Sequence, residues 1–194
     1  MDTIDFGPAA QRLADLIARC TDDELAQPTP CPAYTLGDLI EHVGGLARAF
    51  TAAAEKDHGP LTGGTRPGDA SLLADGWRAR IPADLAGLAK AWREPGAWAG
   101  TTRIAGMDSP AETVGLVLSD ELAVHGWDVA RAIGQPYDCE PEVLEAALSF
   151  LRMFASADAP SGPEVPFGPS RELPGERPLL DRVLALAGRD PDWS

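Results

Sequence analysis

Apolar residues in this chain recur at three- and four-residue steps over long stretches, and strict alternation of apolar with polar positions is nearly absent. That period belongs to amphipathic helices rather than half-buried strands. A first helix is predicted from Pro8, a favoured first-turn residue, with Leu13, Leu16 and Ile17 on its buried face. Thr21-Asp-Asp-Glu24 has the form of a capping box and opens one more short turn. Pro28, Pro30 and Pro32 keep the segment up to Tyr34 out of helix, because each lacks an amide donor and pushes its predecessor towards extended backbone.

Thr35 then caps a second helix, with Asp38 at its third position near the positive end of the dipole. Its stripe is Leu36, Leu39, Ile40, Val43, Ala47 and Phe50, and it runs to about Lys56. Residues 57–68, rich in Gly and Pro, read as a loop. A third helix is predicted over 70–93 with Leu72, Leu73, Trp77, Leu85, Leu88 and Trp92, kinked or interrupted at Pro82. Residues 94–108 connect onward and have room for a short hairpin around 98–104. Ser109-Pro-Ala-Glu112 looks like a capping box with proline at the first helical position, opening a fourth helix that Gly134 and Pro136 end. A fifth helix follows over 141–155, then a Pro/Gly-rich span over 159–178. A last short helix covers 179–187 and stops at Gly188. The fold class is therefore all-α, an antiparallel four-helix bundle with short accessory helices.

The fourth helix carries the candidate chemistry. At about 100° per residue, Val114, Val117, Leu118, Leu122 and Val129 form one apolar stripe. Glu121 and His125 fall near its centre, one turn apart. An ionised carboxylate facing a core must be satisfied. A divalent metal would do so, since i, i+4 spacing aims carboxylate oxygen and imidazole nitrogen at one point. A plain hydrogen-bonded core pair would do so too, and the helix alone leaves both open.

Composition narrows the class. A chain of 194 residues suffices for one packed domain, and dividing it would leave marginal halves, so residues 1–194 are expected to form a single domain. A net charge of -14 argues against nucleic acid and against anionic membrane surfaces. No apolar run is long enough to span a bilayer, and Met1-Asp-Thr-Ile-Asp5 lacks an export-signal core. A cytoplasmic protein is expected. Cys20, Cys31 and Cys139 show no paired spacing and read as reduced thiols, Cys31 as a buried structural one.

The chain has 3 histidines, so few ligands can complete a metal site. His58 sits in the Gly/Pro loop and reads as solvated. His42 lies at the edge of the Leu39/Val43/Leu46 stripe, where it can face a neighbouring helix. One His from the second helix and a Glu/His pair from the fourth would leave positions open for water or substrate. Asp128 has two readings, a carboxylate orienting the His125 ring or a surface salt bridge with Arg131. Trp127 reads as packing.

Two segments carry a family resemblance: Thr29-Pro-Cys-Pro-Ala-Tyr-Thr-Leu-Gly-Asp-Leu-Ile-Glu-His-Val-Gly44 and Asp120-Glu-Leu-Ala-Val-His-Gly-Trp-Asp-Val-Ala-Arg-Ala-Ile-Gly134. Both resemble the signatures of the actinobacterial DinB-like, mycothiol-dependent maleylpyruvate isomerase type proteins. The ending Arg182-Val-Leu-Ala-Leu-Ala-Gly-Arg-Asp-Pro-Asp-Trp193 is similar to one branch of that group. The resemblance implies a DinB-like bundle with a divalent metal, usually zinc, on His42, Glu121 and His125. It also implies mycothiol or a related thiol, activated by the metal, as cosubstrate. The isomerases of that type carry a further C-terminal domain with a catalytic arginine. This chain ends at Ser194 without room for it, so turnover of maleylpyruvate itself is not expected. The expected function is transfer or isomerisation of a small electrophile with a bound thiol. Two rivals stand beside it: a non-catalytic metal-binding or stress-response module, and a hydrolase using zinc-bound hydroxide. Oligomeric state is left open, a homodimer being allowed.

Overall fold

The computed structural model describes residues 3–154 and 169–193. Its order is α1 (Gly7–Arg19), α2 (Leu36–Ala54), α3 (Trp77–Trp92), a single turn α4 (Pro95–Trp98), β1 (Thr101–Ile104), β2 (Met107–Pro110), α5 (Ala111–Ala132), α6 (Pro141–Phe154) and α7 (Leu179–Leu186). Two 3-10 turns, Asp22–Glu24 and Ala70–Leu72, lie in the connections. The all-α bundle expected from helical periodicity is what forms. The first half of the expected Pro/Gly-rich span, residues 159–168, lies outside the described residues, as does residue 155 at the end of the predicted fifth helix, while 169–178 form no helix or strand.

Helices α1, α2, α3 and α5 surround one core. The Arg93–Asp5 pair and the Arg78 bonds to the Cys20 carbonyl place the ends of α1 and α3 head to tail. The sense of α2 matches that of α3, since Gly44 packs on Ile81 near their starts and Trp92 Nε1 donates to the Phe50 carbonyl near their ends. The long connection over 55–76 permits this. On the other side α2 opposes α5: His42 meets His125, while Thr102, just ahead of α5, donates to the carbonyl of Ala53. Leu39, Ile40, Phe50, Ile81, Leu85, Leu88, Val114 and Leu118 are all buried between them. α6 packs on the outer side of α5 and α7 on α6.

Local signals explain most boundaries. Thr35 accepts from the Asp38 amide, and Asp38 Oδ2 accepts from the Thr35 amide at 3.0 Å, closing the reciprocal cap of α2. Three expectations are corrected. The third helix starts at Trp77 rather than at 70, because Gly76, with φ of 77°, breaks the chain there and leaves 70–72 as a separate turn. Of the two effects expected of Pro82, interruption does not occur: α3 continues through it, anchored by buried Ile81, Leu85 and Leu88. The Ser109 capping box does not form: Ser109 pairs with Thr102 and Pro110 with Thr101, so both residues are spent on a hairpin and α5 begins at Ala111. The hairpin lies after Trp98, which belongs to α4.

Trp98 is the wedge that sets α5 against α1. Its ring stacks on Phe6 at 5.8 Å, meets Trp92 edge-on at 5.0 Å, and its Nε1 donates to the Trp92 carbonyl at 2.8 Å. Gly115 of α5 lies directly beneath, where an added Cβ would sit 2.3 Å from Trp98 Cζ3. Gly115→Ala is therefore expected to destabilise by roughly 1–3 kcal/mol, the usual cost of overpacking a rigid site. Urea unfolding checks this, and unchanged stability would mean that Trp98 is free to move.

Candidate metal centre

Helices α2 and α5 meet more loosely than the other adjacent pairs of the bundle, and the three expected residues line that seam. His42 comes from the second turn of α2, and Glu121 and His125 from successive turns of α5. Glu121 Oε2 lies 3.2 Å from His125 Nε2 and 3.9 Å from His42 Nε2. Donor atoms of all three lie within 4.8 Å of one another. The two imidazole rings stand 5.1 Å apart at 88°.

The surroundings hold these side chains in place. The ring of Tyr34 lies 5.1 Å from that of His42, tilted by 35°. The loop after α2 folds back over its first turns: the Ala70 amide donates to Asp38 Oδ1 at 2.8 Å, and Arg66 pairs with buried Glu41. Gly68 lies so close that a Cβ there would fall 2.1 Å from the Asp38 carbonyl oxygen and 2.9 Å from His42 Cβ. Only glycine fits between that loop and the backbone carrying His42.

Asp128 is fully buried, and its Oδ2 lies 3.0 Å from His125 Nδ1. Of its two readings the ring-orienting one holds. Arg131 donates instead to the carbonyl of Trp193. With Nδ1 engaged, His125 presents Nε2 to Glu121 and His42, the arrangement in which a carboxylate fixes tautomer and ring orientation of a ligating histidine. Asp128 in turn receives Arg189 from beyond α7, a residue that sequence reasoning assigned no role. The signal was faint: an arginine after the glycine that ends a helix, without periodic relation to α5. Asp120 was missed as well. It is buried beside Glu121, and its Oδ1 has no hydrogen-bond partner.

Electrostatics at the seam follow from burial opposed by pairing. Burial alone would raise the Glu121 carboxyl, but hydrogen bonds and charge from His125 and His42 outweigh it and hold it well below the carboxylate range. Burial likewise disfavours a charged His125, yet Asp128 and Glu121 together push it up to about 10. Asp120 feels the charges of His125 and Arg189 too, but burial and the neighbouring Glu121 outweigh them and raise its carboxyl well above the ordinary value. Without an ion the centre is thus a compact Glu121–His125 ion pair, with Asp120 beside it held against ionising.

The donor set fits a divalent ion. Ligands at about 2.0–2.2 Å from zinc stand roughly 3.3–3.6 Å apart in a tetrahedron. The two distances from Glu121, 3.2 and 3.9 Å, bracket that spacing, and the three donors lie within 4.8 Å of one another. Two imidazoles and one carboxylate are donors that a divalent first-row ion could take. The remaining candidates lie where their sequence context suggested. His58 is exposed, Trp127 is buried in packing, and Cys31 is buried with its amide donating to Thr29 Oγ1. Among the described residues no helix is long and apolar enough to cross a membrane.

Known proteins agree with this architecture. The model of the mycothiol maleylpyruvate isomerase N-terminal domain matches residues 6–130, which include α1 to α4, all but the end of α5 and all three residues of the seam. Two uncharacterized proteins of Mycobacterium tuberculosis, from strains CDC 1551 / Oshkosh and ATCC 25618 / H37Rv, are each 33% identical over 183 residues, covering 93% of this chain and 93% of their own. Among solved structures, the mycothiol-dependent maleylpyruvate isomerase is similar at a TM-score of 0.59, and a point mutant of it at 0.62. Each is 19% identical and is matched over 80% of this chain and 70% of its own, a likeness of fold. That fold is the DinB-like bundle the two sequence signatures implied. The chain belongs to the family of the mycothiol maleylpyruvate isomerase N-terminal domain.

Proposed function

We propose that this protein holds one divalent ion, zinc in the first instance, on His42, Glu121 and His125, and uses it with a small-molecule thiol of the mycothiol class. The reaction is transfer or isomerisation of a small electrophile. The observation that carries the reading is convergence: three donor atoms from two helices within 4.8 Å, with the spare nitrogen of His125 already bound by buried Asp128. Support for the thiol comes from the printed name of the matching family and of the solved relatives, which are mycothiol-dependent. A divalent ion on this set supplies Lewis acidity and lowers the pKa of a thiol that reaches it. The chain's own residues do the rest. Glu121 and His42 define the face of the seam, Asp128 holds the His125 ring, and Tyr34 walls the His42 side.

The test is direct. Untagged protein reconstituted with zinc is expected to retain about one ion per chain, and His42→Ala to lose it. Cobalt-substituted protein is expected to develop a sulfur-to-metal charge-transfer band when mycothiol is added, with a weaker response to glutathione. No retained metal after reconstitution removes the site. Retained metal with no thiol response, alongside ester or amide hydrolysis that needs all three ligands, replaces the thiol reading by the hydrolase. Retained metal with neither activity leaves a non-catalytic module.

A further inference from the structure

We infer that Arg189, outside the bundle helices, is a positioning residue of this centre, acting on the metal site through Asp128. The inference rests on the proposed metal reading. Arg189 Nε lies 3.0 and 3.2 Å from the two oxygens of Asp128, and Nη2 lies 2.9 Å from Oδ2. Its third nitrogen, Nη1, donates to the Ala187 carbonyl at 3.1 Å. Every nitrogen of the guanidinium is used, and the side chain is 90% buried. Asp128 Oδ2 is therefore shared between the arginine fork and His125 Nδ1, in a line from the C-terminal segment to the metal-facing nitrogen.

The chemistry requires a partner of this kind. A carboxylate with no solvent exposure is costly to keep ionised against an imidazole alone. Two contacts from a planar cation both offset that cost and stop the carboxylate rotating about its Cβ–Cγ bond, which would carry His125 with it. Lysine offers one point charge and cannot lock both oxygens. The local backbone serves the same end. Gly188, at φ of 79°, ends α7, and the Arg189 amide bonds the Leu184 carbonyl at 2.8 Å, which turns the side chain towards α5. Arg131, one turn beyond Asp128, fastens the segment again through the Trp193 carbonyl. The C-terminal segment is thus tied to α5 twice on the side behind the ligands.

The experiment compares full-length wild type, Arg189→Met, Arg189→Lys, Asp128→Asn and the double variant Asp128→Asn/Arg189→Met. Zinc affinity is measured by chelator competition and the visible spectrum is recorded with cobalt. Arg189→Met is expected to weaken zinc binding about 10- to 100-fold, the range for loss of an outer-sphere partner, and to shift the cobalt bands. Arg189→Lys should recover only part of this. Adding Arg189→Met to Asp128→Asn should change little, because the arginine acts through the aspartate. Should Arg189→Met fail to fold, the lysine variant and the charge-balanced double variant carry the same comparison. Wild-type affinity and an unchanged cobalt spectrum in Arg189→Met, or in Arg189→Lys if only that folds, overturn the inference while leaving the metal reading intact. So do additive losses in the double variant. A wild type that binds no ion overturns both.

Discussion

Zinc is expected to raise the melting temperature of the wild-type protein and to leave that of Glu121→Ala unchanged. In the folded chain Glu121 pairs with His125 at 3.2 Å and faces His42 at 3.9 Å, so it is the residue both imidazoles share. Its removal leaves two ligands on separate helices and no anionic donor. Affinity should fall further than the 10- to 100-fold typical of an outer-sphere loss. Binding to the native state stabilises by about 4 kcal/mol when free ion is a thousandfold above Kd, and the variant forgoes that gain. In the metal-free protein the effect is smaller, because two contributions oppose. A hydrogen bond to a charged partner, worth about 1.5–3 kcal/mol, is lost, while a half-buried carboxylate no longer has to be desolvated. Scanning calorimetry of both proteins, with zinc and with chelator, separates these contributions. Equal losses with and without zinc would make Glu121–His125 a structural pair and remove the metal reading.

How much of this was legible depends on the distance over which each signal acts. The stripes of α2 and α5 are local and periodic, so both helices and the three seam residues emerge from sequence. Glu121 and His125 stand out because they interrupt an apolar face; His42 stands out only because there are so few histidines to place. The Thr35 cap is equally local. The Ser109 cap failed because a competing local pairing, with Thr102 across the hairpin, takes the residue first. Helix α3 was extended too far back because Leu72 and Leu73 kept the period while Gly76 broke the backbone. Arg189 was out of reach for another reason. It meets Asp128 across 61 positions, and nothing in the spacing of either residue announces the other. Asp120 shows the limit of pattern reading: at the same helical face as Asp128 and next in sequence to a candidate ligand, it has an oxygen that nothing bonds.

Metal uptake should release a proton, and affinity should climb with pH over the range in which most assays are run. In the metal-free protein Asp128 and Glu121, working against burial, raise His125 to about 10 from an ordinary value of 6.5. Between those values the native metal-free chain carries a proton on His125 that the unfolded chain has lost. Stability from this group is therefore complete below about pH 6.5 and disappears as pH rises through about 10. Glu121 contributes in the opposite sense, its stabilisation being present above the ordinary carboxylate pKa of 4.5 and lost as acid protonates it. The metal-free protein should thus be most stable in mildly acidic solution and weaken towards alkali. A divalent ion needs the Nε2 lone pair, so it must displace that proton. From about pH 6.5 to 9 the apparent affinity is expected to rise close to tenfold per pH unit, with about one proton released per ion. Calorimetric titration in two buffers of different ionisation enthalpy counts that proton directly. Asp128→Asn removes the largest hydrogen-bond support for the charged ring, so it should reduce both the proton release and the alkaline loss of metal-free stability. An affinity that is flat over this range in the wild type would mean that His125 is already neutral, with its Nε2 free before any ion arrives.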